Sequence, residues 1–131
     1  GSAGSGQRCK LSNQIAVAIG MVAWCEALAV AKASNLDPSA VQDVIRGGAA
    51  GSWGLTNLAP RALNEDFKPG FLVRHLVKDI RLAQEEADLH GLCLPGLEVA
   101  QKLYELVEKL GYGEAGTQVL FHHYETNRGV G

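Results

Sequence analysis

The sequence predicts an all-α domain, and three observations carry this prediction. Apolar residues recur at helical spacing in several segments, no segment shows sustained alternation of apolar and polar residues, and no Asn-Gly or Asp-Gly pair separates apolar runs. The 131 residues are 47% hydrophobic and 20% charged, a composition that fills one core and is not typical of a disordered chain. We therefore expect residues 1–131 to form a single helical bundle.

The bundle is expected to be built around one long Ala-rich helix, because residues 15–31, IAVAIGMVAWCEALAVA, are almost entirely apolar. A membrane span is not expected, since the uninterrupted apolar run ends at Glu26 and is too short to cross a bilayer. Small residues recur along one ridge of this helix, namely Ala16, Gly20, Ala23, Ala27 and Ala31. The ridge either admits the close approach of another helix or only reflects the high helix propensity of alanine.

Proline and glycine divide the rest of the chain into shorter helices. Asp37 is a candidate N-cap with Pro38 at the first helical position, and Gly47-Gly48 ends that second helix. A short helix is predicted over 55–58, ended by Pro60, and a polar loop over 64–70. Three more helices are predicted over 71–90, 95–110 and 115–124, where apolar residues return every three or four positions.

Charge and cysteine content exclude several classes of function. The formal net charge of −2 lacks the positive excess that nucleic-acid binding requires. Three cysteines cannot form a disulfide framework, so reduced thiols and a cytoplasmic location are expected. His122 and His123 are adjacent on a helix and point about 100° apart, which is a poor geometry for a shared metal ion. No metal site is predicted.

The first ten residues, GSAGSGQRCK, are where chemistry is most strongly indicated. Glycines followed by a helix N-terminus are typical of a cradle for a phosphate or a carboxylate, and Lys10 would lie in or just before the first helical turn. The alternative is that GSAGSG is a vector-derived linker and that Lys10 is an ordinary solvated side chain. The residues alone leave both interpretations open.

Two segments resemble the β-hydroxyacid dehydrogenases of the 6-phosphogluconate dehydrogenase-like superfamily. Residues 4–13, GSGQRCKLSN, match the G-x-G-x-x-x-K-x-x-N turn that opens the carboxyl-terminal domain of that family and contains its catalytic lysine. Residues 78–83, KDIRLA, resemble the family segment KDLxLA, and Phe71 stands where the family has a phenylalanine near the cleft. The resemblance extends over essentially the whole chain and implies a fold like the 6-phosphogluconate dehydrogenase carboxyl-terminal domain.

The resemblance implies an NAD(P)-dependent oxidoreductase that acts on a 3-hydroxy acid, a small semialdehyde or glyoxylate. Lys10 would donate a proton to the carbonyl oxygen on reduction or accept the hydroxyl proton on oxidation. The other implied site residues are Asn13, Gln14 and Gly6 for the substrate, and Lys78, Phe71 and Asp79 for the cofactor, with Asp79 also helping to fix Lys10.

Some of these roles have alternatives. Many relatives have asparagine at the position of Gln14, and glutamine there resembles the tartronate semialdehyde reductase branch, so the substrate stays open. Lys78 and Asp79 have a competing structural interpretation as an ordinary exposed helix pair. Phe71 is as compatible with the core as with the site, and Trp53 is either a core residue or a wall of the cleft.

Members of this family have an amino-terminal Rossmann domain that binds most of the NAD(P). These 131 residues contain no strand–turn–helix dinucleotide unit, so the Rossmann domain is expected to be absent from this chain. The chain would then be the helical substrate and oligomerisation domain, inactive alone, binding a small carboxylate substrate and assembling as a homodimer or tetramer. The alternative function is a non-catalytic helical dimerisation module. These 131 residues do not determine whether the cofactor is NAD or NADP.

Overall fold

The computed structural model describes residues 4–127, which form seven α-helices and no extended strand. The prediction of an all-α fold is thereby confirmed. The helices are α1 (Ser5–Ala33), α2 (Pro38–Ile45), α3 (Trp53–Asn57), α4 (Ala59–Leu63), α5 (Val73–Leu89), α6 (Pro95–Val107) and α7 (Leu120–Thr126). A π-helical turn (Glu108–Tyr112) follows α6, and a 3₁₀ turn (Thr117–Val119) leads into α7.

The central element is α1, whose 29 residues span about 44 Å. Its buried face consists of Gln14, Ala18, Met21, Trp24, Cys25, Leu28 and Ala31. This face packs against α5, α6 and α7, and α2 and α3 cover further parts of the helix. By its length and apolar composition, α1 is also long enough to cross a membrane. The central helices of folded domains often have the same length and composition. Its contacts with the other helices make it the core helix of this domain.

The core joins α1 to the three helices of the second half of the chain. Trp24 of α1 stacks on Phe121 of α7 with the ring centroids 6.3 Å apart. Tyr104 of α6 is fully buried, and its hydroxyl donates a hydrogen bond to the carbonyl oxygen of Thr117 at 2.9 Å. Burial raises the pKa of the Cys25 thiol well above its ordinary value. This cysteine therefore behaves as a small core residue.

Apart from the buried Ala31, the small residues of the ridge on α1 do not pack closely against another helix of the described chain. Ala16, Ala23 and Ala27 are exposed, and a Cβ added at Gly20 would meet no atom within 4 Å. The close approach to α1 occurs instead at Gly54 of α3. A Cβ at Gly54 would lie 3.1 Å from Trp24 Nε1 and 3.2 Å from Met21 Sδ, so a glycine lets α3 approach α1.

The beginning of α1 differs from the sequence prediction. Gly4, with φ of 89°, turns the chain into a helix that begins at Ser5, because glycine adopts this left-handed conformation without steric cost. The prediction that Lys10 lies in or just before the first turn is therefore wrong. Lys10 is the sixth residue of α1 and lies in its second turn.

Other helix boundaries also differ from the prediction, since α3 begins at Trp53 and not at Leu55, and α4 was not predicted. Pro60 lies in the first turn of α4 and does not end a helix, since a proline costs no hydrogen bond there. α5 begins at Val73 and not at Phe71, because the backbone around Phe71 pairs with the segment before α7. The backbone N–H of Thr117 donates to the carbonyl oxygen of Phe71 at 3.0 Å, and that of Val73 donates to Ala115 at 2.9 Å. This pairing also delays the start of α7 to Leu120.

Candidate functional site

A cleft of about 510 Å³ runs along α1 between this helix and the segment around α3. One wall is the stripe of α1 that begins at Lys10 and continues at three- and four-residue steps to Trp24, as expected for one face of a helix. The opposite wall and the ends of the cleft are formed by Ser52, Trp53, Gly54, Leu58, Phe71 and Thr117. Most of the lining is apolar, and Lys10, Asn13 and Gln14 provide polar groups near one end.

Lys10 stands at the border of two clefts. A second cleft of about 460 Å³ lies on its other side, between α1 and α5, where Asp79, Glu85 and Glu86 contribute carboxylates. Within residues 4–127, the Lys10 amine forms no hydrogen bond or ion pair, and its side chain is exposed. The amine is therefore available to a ligand in either cleft.

The polar groups beside Lys10 form a short hydrogen-bonded chain across the two main helices. Gln14 Nε2 donates to Asp79 Oδ2 at 2.9 Å, although the two residues are 65 positions apart in the sequence. Asn13 Nδ2 donates to Gln14 Oε1 at 3.1 Å. Gln14 and Asp79 are buried, with 9% and 8% of their surfaces exposed, whereas Asn13 is exposed. The structure thus joins Asp79 to Gln14 and not directly to Lys10.

Two aromatic residues border the main cleft. Phe71 is 39% exposed and packs edge-on against His75, with ring centroids 5.9 Å apart. Trp53, the first residue of α3, is 71% exposed. Of the alternatives left open by the sequence, both residues therefore form walls of the cleft and neither belongs to the core.

The structure brings some predicted site residues together and leaves others apart. Lys10, Asn13, Gln14 and Phe71 border the same cleft. Lys78 is exposed on α5, and Gly6 is exposed in the first turn of α1; neither lines the two clefts beside Lys10. Their proposed contacts with cofactor and substrate stay predictions.

Several cleft residues were missed by the sequence reasoning. Val17, Met21 and Trp24 continue the face of Lys10 along α1, a helical spacing that could have identified them. Leu58 and Thr117 come from distant segments, and no local pattern indicates them. No group of three His, Cys, Asp or Glu side chains suited to a metal ion occurs within the described part of the chain.

Comparison with known proteins gives a family match over almost the whole chain. Residues 4–124 match the family model described as NAD-binding of NADP-dependent 3-hydroxyisobutyrate dehydrogenase. The chain is 50% identical over 121 residues to YkwC of Bacillus subtilis, an uncharacterized oxidoreductase, covering 92% of this chain and 42% of that protein. It is 42% identical over 120 residues to the probable 3-hydroxyisobutyrate dehydrogenase-like 1, mitochondrial, of Arabidopsis thaliana, covering 92% of this chain and 36% of that protein.

The fold also matches a solved enzyme structure. The Mycobacterium tuberculosis 3-hydroxyisobutyrate dehydrogenase with L-serine superposes with a TM-score of 0.87 at 28% sequence identity, covering 98% of this chain and 45% of that one. The chain thus spans less than half the length of the proteins that it resembles.

Proposed function

Because the chain belongs to the 3-hydroxyisobutyrate dehydrogenase family, we propose that it is the helical domain of an NAD(P)-dependent oxidoreductase for a small 3-hydroxy acid or the corresponding semialdehyde. One observation carries this proposal: the free amine of Lys10 shares an apolar cleft with the amide of Asn13 and the ring of Phe71. An amine, a hydrogen-bonding amide and an apolar wall are the groups needed to bind a short hydroxy acid and to move a proton at its oxygen.

Lys10 is proposed as the proton donor and acceptor. Its amine would give a proton to the carbonyl oxygen when the substrate is reduced and take the hydroxyl proton when it is oxidised. Asn13, one helical turn along from Lys10, would hydrogen-bond the substrate. Gly6, in the first turn of the same helix, is proposed to contribute backbone near the substrate carboxylate.

The cleft also fits the family's cofactor. Its aromatic and aliphatic walls suit a flat nicotinamide ring, and we assign Phe71 to that ring. Lys78 and Asp79, which lie on α5 and do not line this cleft, are proposed to contact the cofactor as well. When bound, the nicotinamide supplies or accepts the hydride. These 131 residues contain no glycine-rich dinucleotide turn after a strand. A part of the protein outside this chain is therefore proposed to hold the diphosphate, as a Rossmann domain does.

The function is tested with the full-length protein and a panel of substrates. The panel contains 3-hydroxyisobutyrate, L-serine, tartronate semialdehyde, succinic semialdehyde and glyoxylate, each with both nicotinamide cofactors. We expect saturable turnover, followed by the absorbance of NAD(P)H, for at least one 3-hydroxy acid or its semialdehyde. A protein that binds neither cofactor and converts none of the panel would favour the alternative of a non-catalytic helical module.

We predict that the 131-residue chain alone is inactive and binds NADPH weakly. In this proposal the cleft contacts only the nicotinamide end of the cofactor. The chain alone therefore lacks the contacts that would supply most of the binding energy of the dinucleotide. Calorimetric titration of the purified chain should show no binding tighter than about millimolar, equivalent to about −4 kcal/mol. Micromolar affinity for NADPH would contradict the assignment of the dinucleotide to a part outside this chain.

We also propose that this domain assembles as a homodimer or tetramer through α1. Ala23 and Ala27 lie exposed on the small-residue ridge, and Val30, one turn further, is 67% exposed. Such a face allows close helix contact between two copies. Light scattering coupled to gel filtration should give at least about twice the chain mass of 13.9 kDa.

An arginine on this ridge should weaken the assembly. Ala27→Arg places a long charged side chain in the proposed contact and should reduce association by about 1–3 kcal/mol through overpacking. The matched control is Ala40→Arg, because Ala40 is an exposed alanine of α2 and does not lie on α1. A monomeric parent chain, or equal effects of the two variants, would rule out assembly through the ridge.

A further inference from the structure

The orientation of the amides beside Lys10 follows from the carboxylate at the end of their hydrogen-bonded chain. An ionised carboxylate only accepts hydrogen bonds, so Gln14 must direct its Nε2 group towards Asp79, which it contacts at 2.9 Å. The Oε1 atom of Gln14 is then at the other end of the amide. It accepts from Asn13 Nδ2 at 3.1 Å. Asp79 thereby sets the orientation of both amides in turn.

This arrangement gives Gln14 one protein contact at each end of its amide. Gln14 is only 9% exposed, and its two hydrogen bonds link α1 to α5. A ligand that displaced either of these contacts would leave a buried polar group without its partner, which is costly. Asn13, in contrast, is exposed at the cleft, and its Oδ1 atom has no hydrogen-bond partner among residues 4–127.

We propose that Gln14 is a positioning residue and that Asn13 is the amide that contacts the substrate. Gln14, anchored on Asp79, holds the Nδ2 group of Asn13 and leaves Oδ1 free to accept a hydrogen bond from a hydroxyl of the substrate. The length of the glutamine side chain matters here, because its amide contacts Asp79 on α5 and Asn13 on α1 at the same time. An asparagine at position 14 is one methylene shorter and spans one of these contacts at most. The proposal rests on the proposed function, and it identifies a hydroxyl-bearing substrate as the ligand of Asn13.

Steady-state kinetics of the full-length protein test the division between the two amides. Asn13→Ala and Gln14→Met should each raise KM for the hydroxy acid about three- to tenfold, with kcat changed less. Because Gln14 acts through Asn13, the double variant should have the KM of Asn13→Ala alone. KM effects that multiply in the double variant would show that Gln14 contacts the substrate itself and would overturn the proposal.

The matched control is Gln101→Met. Gln101 Nε2 also donates to a carboxylate, Glu105 Oε1, at 3.0 Å, but it lies on α6 and lines neither cleft beside Lys10. This variant removes the same kind of hydrogen bond and should leave KM unchanged. If Gln101→Met raises KM as much as Gln14→Met does, the effect is a general loss of structure and the positioning role is rejected.

A second measurement does not depend on activity. In the ¹⁵N-labelled chain, Asp79→Asn should shift the side-chain amide resonances of both Gln14 and Asn13, because the carboxylate orients both groups. Asp43→Asn, an exposed carboxylate paired with Arg46, should shift neither. Unshifted Asn13 resonances in Asp79→Asn would refute the positioning chain even if the enzyme is active. If the full-length protein converts none of the substrate panel while both resonances shift as expected, the proposed function is refuted. The hydrogen bonds from Asp79 through Gln14 to Asn13 are then still supported.

Discussion

Replacing Lys10 with alanine in the full-length protein should lower kcat by about 10²- to 10⁴-fold, the range typical of losing a general acid–base group. The expectation rests on the position of this amine at the border of two clefts, without a protein partner among the described residues. An amine with no structural contact to lose can be removed without disturbing the fold. Cofactor affinity, measured by quenching of protein fluorescence, should stay close to that of the parent.

Two other lysines provide the comparison. Lys102→Ala, at an exposed position of α6, should leave both kinetic constants unchanged. Lys78→Ala should lower kcat less than Lys10→Ala does and raise KM more, because Lys78 is proposed to contact the cofactor. A Lys10→Ala enzyme with kcat within tenfold of the parent would show that another group moves the proton.

Replacing Trp24 with alanine should destabilise the 131-residue chain by about 3–5 kcal/mol, the usual cost of removing a large buried aromatic side chain. Trp24 is 3% exposed, stacks on Phe121, and donates from Nε1 to Met21 Sδ at 3.3 Å. It also contacts Gly54, through which α3 packs on α1. Its loss would therefore open the core and one wall of the cleft together.

The chain contains its own matched control, because its only other tryptophan is on the surface. Trp53 is 71% exposed, so Trp53→Ala should change the free energy of unfolding by no more than about 0.5 kcal/mol. Urea denaturation followed by circular dichroism measures both variants on one scale. In the full-length protein, Trp53→Ala should instead raise KM, as expected for a wall of the cleft. Equal destabilisation by the two substitutions would contradict the assignment of Trp53 to the surface.

The sequence by itself determined the helical elements other than α4, because their signals are local. The three- and four-residue spacing of apolar side chains identified α1, α5 and α6. Asp37 and Pro38 identified the start of α2, where the Asp37 carboxylate accepts a hydrogen bond from the Ser39 backbone N–H at 3.0 Å. The same spacing rule places Lys10, Asn13 and Gln14 on one face of α1, so half of the candidate site could be predicted without a structure.

Only the tertiary structure decided which side chains face that half of the site. Phe71 and Trp53 are walls of the cleft because of the way in which the segments around α3 and α5 pack on α1. The contact between Gln14 and Asp79 joins residues 65 positions apart, and no periodicity in the sequence indicates it. Backbone pairing between the segments before α5 and α7 likewise set where those two helices begin. Helix formation depends on neighbours three and four residues away, whereas burial and orientation depend on packing between distant segments. The wall of the cleft that faces α1 could therefore be identified only in the folded chain.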